Sequence, residues 1–218
     1  MDLLPGAEPF AHDGSDVGVL VCHGFTGTPQ SMLPIARRCA DEGYTVRLPR
    51  LPGHGTTWKE LNTKRWTDWW SEIDAAYDEL RQRCDRIVAV GLSMGGTLAT
   101  LAAQSHPHGI HGLALINPAY TMRDIRLKAL PALQHVVPSI ASIANDIKKP
   151  GAREVAYDRT PLRALQSQRE MWAQVTRDLP QVTQPVLLLH SPTITSCHRS
   201  ARRCCWPECP ARTRPRSC

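Results

Sequence analysis

Nowhere in the 218-residue chain do about 18 apolar residues run uninterrupted, so a helical membrane span is not indicated. The N-terminus, "MDLLPGAEPFAHDG", lacks both a basic start and an apolar core of the kind a secretory leader needs, and the chain reads as cytoplasmic. No internal repeat is visible. The body also lacks a disulfide framework. Cys22, Cys39 and Cys84 are scattered through it, the usage expected of reduced, buried thiols in a cytosolic protein. The end of the chain, in turn, lacks acid: no aspartate follows Asp178, and from Thr193 to Cys218 six arginines face Glu208 alone. The net charge of +6 and the pI near 9.0 therefore belong to that tail. The nearly neutral body gives no reason to expect a nucleic-acid or membrane-surface partner.

What is present fits one domain with a substantial core. Short aliphatic runs, "VGVLVC" (17–22), "TVRL" (45–48), "RIVAV" (86–90), "GLALI" (112–116) and "PVLLLH" (185–190), read as strands. Between them lie helical stretches near 30–42, 67–83 and 94–105. The alternation predicts an α/β fold, a mostly parallel sheet with helices on both faces. One interval, 121–183, is far longer than an ordinary crossover. Its Leu127, Leu130, Leu133, Val136, Val137, Ile140 and Ile143 recur at spacings of three and four, predicting several short helices broken by prolines. The organisation expected is a first core part over 1–120, an inserted helical cap over 121–183, a core strand over 184–192, and an aberrant, disordered tail over 193–218.

The stretch "GLSMGG" (91–96) sits between a predicted strand and a predicted helix and fits G-x-S-x-G. In that context Ser93 occupies a strained strand-to-helix turn. The flanking glycines are needed because a side chain there would meet neighbouring backbone, and the hydroxyl projects at a helix N-terminus, where the dipole favours negative charge. Ser93 is thus the candidate nucleophile. A second segment, "HGFTG" (23–27), ends the first long strand. The amides of Met94, after the nucleophile, and of Phe25, in this loop, are the candidate oxyanion donors. His23 and Gly24 are read as shaping the loop rather than acting as base. His54, in the Pro/Gly-rich "RLPRLPGHGTT" (47–57), is read the same way. Trp58, Trp66, Trp69 and Trp70 read as amphipathic packing, with an acyl-binding wall as the alternative for one or two of them.

These segments, together with "LVCHGFTGTPQSM", "GYTVRLPRLPGHGTTW", "DWW", "VAVGLSMGGTLA", "LINPA" and "NDIKKPG…YDRTPL", resemble the α/β-hydrolases, and within them the bacterial carboxylesterase and monoacylglycerol-lipase-like group. The resemblance spans most of Gly18 to His190. It implies Ser93 as nucleophile, Phe25 and Met94 as oxyanion amides, a small helical cap over an acyl pocket, a small-molecule ester as substrate, and neither metal nor organic cofactor. It also implies an acid after the strand "PVLLLH" and a histidine beyond one further strand, in the order serine, acid, histidine.

The tail departs from that pattern. "TITSCHRSARRCCWPECPARTRPRSC" holds no aspartate, one glutamate, one histidine and no credible strand or helix. Regrouping each residue's possible codons one base earlier restores sense. Thr193 and Ile194 then encode only Asp, Asn, His or Tyr; Thr195 gives His, Asn or Tyr; Ser196, if its codon begins TC, and Cys197 become aliphatic or Phe; His198 and, with a CG-type codon, Arg199 become Pro or Ser. Cys205 and Trp206 can only become Leu, and Pro207 only Ala. The reading is a one-base slip near Pro192, with the lost acid at the position of Ile194, the last strand and helix missing, and His198 no surrogate base. A zinc site from Cys197, His198, Cys204, Cys205 and Cys209 fits poorly, because adjacent cysteines cannot easily share one tetrahedral ion. An arginine-rich nucleic-acid arm would lack a fold to present it.

The sequence therefore predicts a serine hydrolase that cleaves carboxylic esters through an acyl-serine and is nearly inactive as written. The alternative is a non-catalytic acyl-ligand binder or interaction protein on the same fold. Acyl length, leaving alcohol and oligomeric state stay open.

Overall fold

The computed structural model describes residues 2–121, 129–142 and 154–191. The tail, with Ile194, Cys197, His198, Cys204, Cys205 and Cys209, lies outside them, as do Leu127 and Ile143. Among the described residues the central sheet has six strands: β1 (Phe10–His12), β2 (Val17–Cys22), β3 (Thr45–Leu48), β4 (Arg86–Leu92), β5 (Ile110–Ile116) and, numbered in chain order, β8 (Val186–Leu189). Their spatial order is β1-β3-β2-β4-β5-β8. Every pairing is parallel except that of β1 with β3.

β2 and β4 are buried on both faces, so they read as continuous aliphatic runs rather than alternating ones. Leu20, Cys22 and Ala89 point into one core with α3 (Trp66–Arg81), α4 (Met94–Ser105) and α6 (Leu162–Arg177). Val19, Val21 and Val90 point the other way, onto α1 (Leu33–Asp41), through Met32 and Ala36. The period of two along each strand thus feeds two cores, and helices cover both faces as the alternation requires. Cys22 and Cys84 are buried, and Cys39 is half-buried; none of the three is disulfide-bonded.

Several elements differ from the sequence expectation. The first helical stretch is split, because Pro29 opens a separate 3₁₀ turn (Pro29–Ser31) before α1 starts with Pro34 in its first turn. The short α2 (Trp58–Leu61), capped by the Thr57 hydroxyl, precedes α3. Between β5 and β8 the spacing led to several helices, yet only α5 (Leu130–Leu133) forms within the described part of 127–143. Ile140 lies in a strand, β6 (Ser139–Ala141), paired antiparallel with β7 (Arg159–Pro161). Pro138, just before β6, has no N–H to continue a helix from α5, and cross-strand pairing of Ile140 with Thr160 overrides the helical spacing. The later part of the interval is α6, which packs its Ala164, Met171 and Val175 into the main core. At the sheet edge, β8 leaves Leu187 and Leu189 57% and 49% exposed.

Candidate active site

β4 feeds α4 through a single residue, Ser93, at φ 54° and ψ −116°, a conformation that non-glycine residues occupy only under compulsion. The surroundings supply the compulsion. The Ser93 N–H donates to the Ile116 carbonyl at 3.0 Å, while the Ser93 carbonyl accepts from Gly96 N at 3.0 Å and Ala119 N at 3.1 Å. There is no room to relax: a Cβ on Gly95 would run into the Cys22 and His23 backbone, one on Gly91 into the Gly95 backbone, and one on Gly96 would stand 2.8 Å from Pro118 Cβ. The glycines are therefore what lets α4 approach β2 closely enough to form the bend. Ser93 itself is half-buried, and its hydroxyl makes no cap bond to α4.

The loop after β2 closes on the same point. A Cβ placed on Gly24 would sit 3.6 Å from Ser93 Cβ, so this glycine brings the loop backbone against the serine. Thr26 adopts φ 60°, a second strained turn. Among the described residues, no hydrogen bond uses the amide of Phe25 or of Met94 as donor. Phe25's ring packs edge-on to Trp69 at 5.8 Å and to His54 at 6.4 Å. It also joins the apolar cluster of Ala119, Leu130, Leu162, Leu165 and Trp172, which links the loop to α5 and α6.

His23 is fully buried and engaged at both ring nitrogens. Leu51 N donates to its Nε2 at 3.2 Å, so the proton is on Nδ1, which donates to the Gly24 carbonyl at 3.0 Å. It bonds the loop rather than Ser93. Burial pushes its pKa down to about 4. His54, edge-on to it at 5.0 Å, is also driven well below the ordinary value, first by burial and then by His23. Its Nδ1 faces the Pro52 carbonyl at 3.3 Å. Both rings are therefore neutral in the folded protein and charge in the unfolded chain below about pH 6.5. The unfolded state then binds more protons, so stability falls as pH drops from about 6.5 toward 4. Between pH 7.5 and pH 5 the loss is about 2 kcal/mol from His23 alone. Urea midpoints at those two pH values check this; an unchanged midpoint would contradict it.

The residues that sequence reasoning passed over come from the return of the 121–183 segment. Tyr157 N donates to the Thr26 carbonyl at 3.1 Å, and its phenol donates to the Gly53 carbonyl at 2.7 Å while accepting from Thr56 N at 2.8 Å. Val155 N donates to Gln30 Oε1 at 3.0 Å. Glu154 lies beside Gly27, and burial raises its pKa. One short segment thus ties the loop after β2 to the loop after β3. Tyr157→Phe removes a donor and an acceptor and leaves two backbone groups without a partner, so it is expected to destabilise the fold by about 1–3 kcal/mol in urea unfolding. No change would mean that the phenol's bonds are replaced by water. The partners lie 104 and 101 residues away in sequence, so no local pattern could have announced them.

Comparison with known proteins places this geometry. A family model described as serine aminopeptidase, S33 matches residues 15–204. The chain is 40% identical over 189 residues to the thermostable monoacylglycerol lipase of Bacillus sp. (strain H-257), covering 87% of this chain and 75% of that protein. It is 24% identical over 190 residues to the carboxylesterase of Bacillus subtilis (strain 168), covering 84% and 74%. Among solved structures, one from the metagenome-derived lipolytic enzymes LipS and LipT matches with a TM-score of 0.90 at 40% identity, over 94% of this chain and 83% of the other. The monoacylglycerol lipase of Paleococcus ferrophilus, at 16% identity and a TM-score of 0.73, over 95% and 84%, shares the fold.

Proposed function

Since the chain belongs to the serine aminopeptidase, S33 family of α/β-hydrolases, we propose that it is built to hydrolyse the ester of a fairly apolar acyl chain, of the monoacylglycerol kind, with Ser93 as nucleophile. Ser93 Oγ attacks the ester carbonyl carbon, and the Phe25 and Met94 amides receive the oxyanion of the tetrahedral intermediate. The C–O bond to the alcohol then breaks, leaving an acyl-serine that water cleaves. The observation that carries the reading is the Ser93 backbone at φ 54°, clamped between Ile116 and Ala119 at the head of α4. A serine in an ordinary turn has no use for that strain. The two amides, without acceptors among the described residues, and the apolar cluster around Phe25 favour the same chemistry.

The proton has to go somewhere, and among the described residues no hydrogen bond joins the Ser93 hydroxyl to a base. His23 and His54 are buried and neutral, and the Nδ1 of each lies against a backbone carbonyl. The residues from Thr193 onward contain no aspartate. A one-base slip near Pro192 accounts for both facts, with the acid lost at position 194 and the histidine lost further on. The chain as written is then a serine hydrolase without its acid and base. The test is hydrolysis of monoacyl esters by the re-registered chain, with and without Ser93→Ala. Acyl-chain binding without turnover in that chain would favour a non-catalytic binder instead.

A further inference from the structure

The strand ends β2, β4, β5 and β8 lie side by side at one edge of the sheet, and the turn after β5 touches the structures on both sides of it. On one side, Ile116 accepts from Ser93 N and Ala119 N donates to the Ser93 carbonyl. On the other, Asn117 N donates to the Leu189 carbonyl at 2.8 Å, and Asn117 Oδ1 accepts from Ser191 N at 2.7 Å. Asn117 does this from φ 44°, the left-handed region in which asparagine is several-fold enriched over most other side-chain-bearing residues.

We propose that Asn117 is a positioning residue that holds the nucleophile turn and the loop leaving β8 in one register. Two properties are needed at once. The backbone must accept a positive φ so that Asn117 N points at β8 while Ile116 O and Ala119 N point at Ser93. The side chain must also be short and carry an acceptor, so that Ser191 N is caught two residues past β8. Glycine meets the first need, and an apolar residue meets neither. Asparagine and aspartate meet both. For catalysis, which rests on the hydrolase reading, the consequence is that the chain leaving β8 is tied at Ser191 to the same turn that brackets Ser93.

The device is tested in the 218-residue chain without any turnover, so its failure is separable from failure of the hydrolase reading. Amide hydrogen exchange, resolved to single residues by NMR, is compared for the parent chain, Asn117→Gly and Asn117→Asp. Glycine keeps the permitted φ but drops Oδ1, so exchange at Ser191 N is expected to rise about tenfold, the loss of one ordinary hydrogen bond, and Ser93 N to rise with it by a smaller factor. Aspartate keeps both the φ and the acceptor and is expected to return both amides to within about twofold of the parent. Unchanged Ser191 exchange in the glycine variant would overturn the proposal. So would a Ser191 rise with Ser93 untouched, because the bond would then fix only its own loop.

Discussion

Re-registering the codons after Pro192 by one base is expected to raise turnover of a short-chain nitrophenyl ester about 10⁶-fold over the 218-residue chain, and Ser93→Ala to remove the whole gain. The magnitude follows from what a serine hydroxyl needs. Without a base it keeps its proton near neutral pH, and the strained turn and oxyanion amides then act on a weak nucleophile. Those parts lie within residues 23–96 and are common to both chains, so the difference isolates the contribution of the acid and the histidine. The same change is expected to raise the urea midpoint, because Leu187 and Leu189 stand exposed on β8 and the re-registered codons permit an apolar run to cover them. Equal turnover of the two chains would mean that residues 193–218 supply the proton acceptor as they are. Equal midpoints would mean that the exposed leucines cost nothing.

Gly95→Ala is expected to cost the fold at least about 3 kcal/mol and most of its soluble yield, because the added carbon meets the backbone carbonyls of Cys22 and His23, which cannot swing aside as a side-chain tip can. To make room, α4 would have to withdraw from β2. Ser93 would then leave the bracket of Ile116 and Ala119, and Gly24 would lose its approach to Ser93. Gly112→Ala is the control. Its Cβ would find the Pro185 carbonyl at 3.7 Å and Val88 Cγ2 at 3.9 Å, ordinary contacts, and a strand position favours alanine over glycine by a fraction of a kcal/mol. Similar urea midpoints for the two variants would show that close approach of α4 is not what the glycine provides.

The contrast between those two glycines explains why this site was legible in sequence. The nucleophile turn is built by six consecutive residues, 91–96, of which Gly91, Gly95 and Gly96 are forced by contacts within a few ångströms, so the pattern and the geometry are nearly the same statement. β2, β4 and β5 were equally plain, since strands covered on both faces have to be aliphatic runs. What escaped depends on distant partners. β1 is three residues long and exists because β3 offers an edge. β6 and β7 lie some twenty residues apart and pair through backbone, which leaves no periodic trace. Tyr157, and Asn117 within "LINPA", sat in plain view, but the loops they hold are recognisable only once the chain is folded. His23 and His54, read in sequence as shaping their loops rather than acting as bases, each place Nδ1 against a backbone carbonyl of their own loop.

The central claim is that residue 93 forms the covalent bond to the acyl group. Peptide mass mapping of the re-registered chain after treatment with a fluorophosphonate reads it out directly. One adduct is expected, on the peptide carrying Ser93, abolished by Ser93→Ala together with ester turnover. An adduct on any other residue, or turnover that survives Ser93→Ala, would contradict the account.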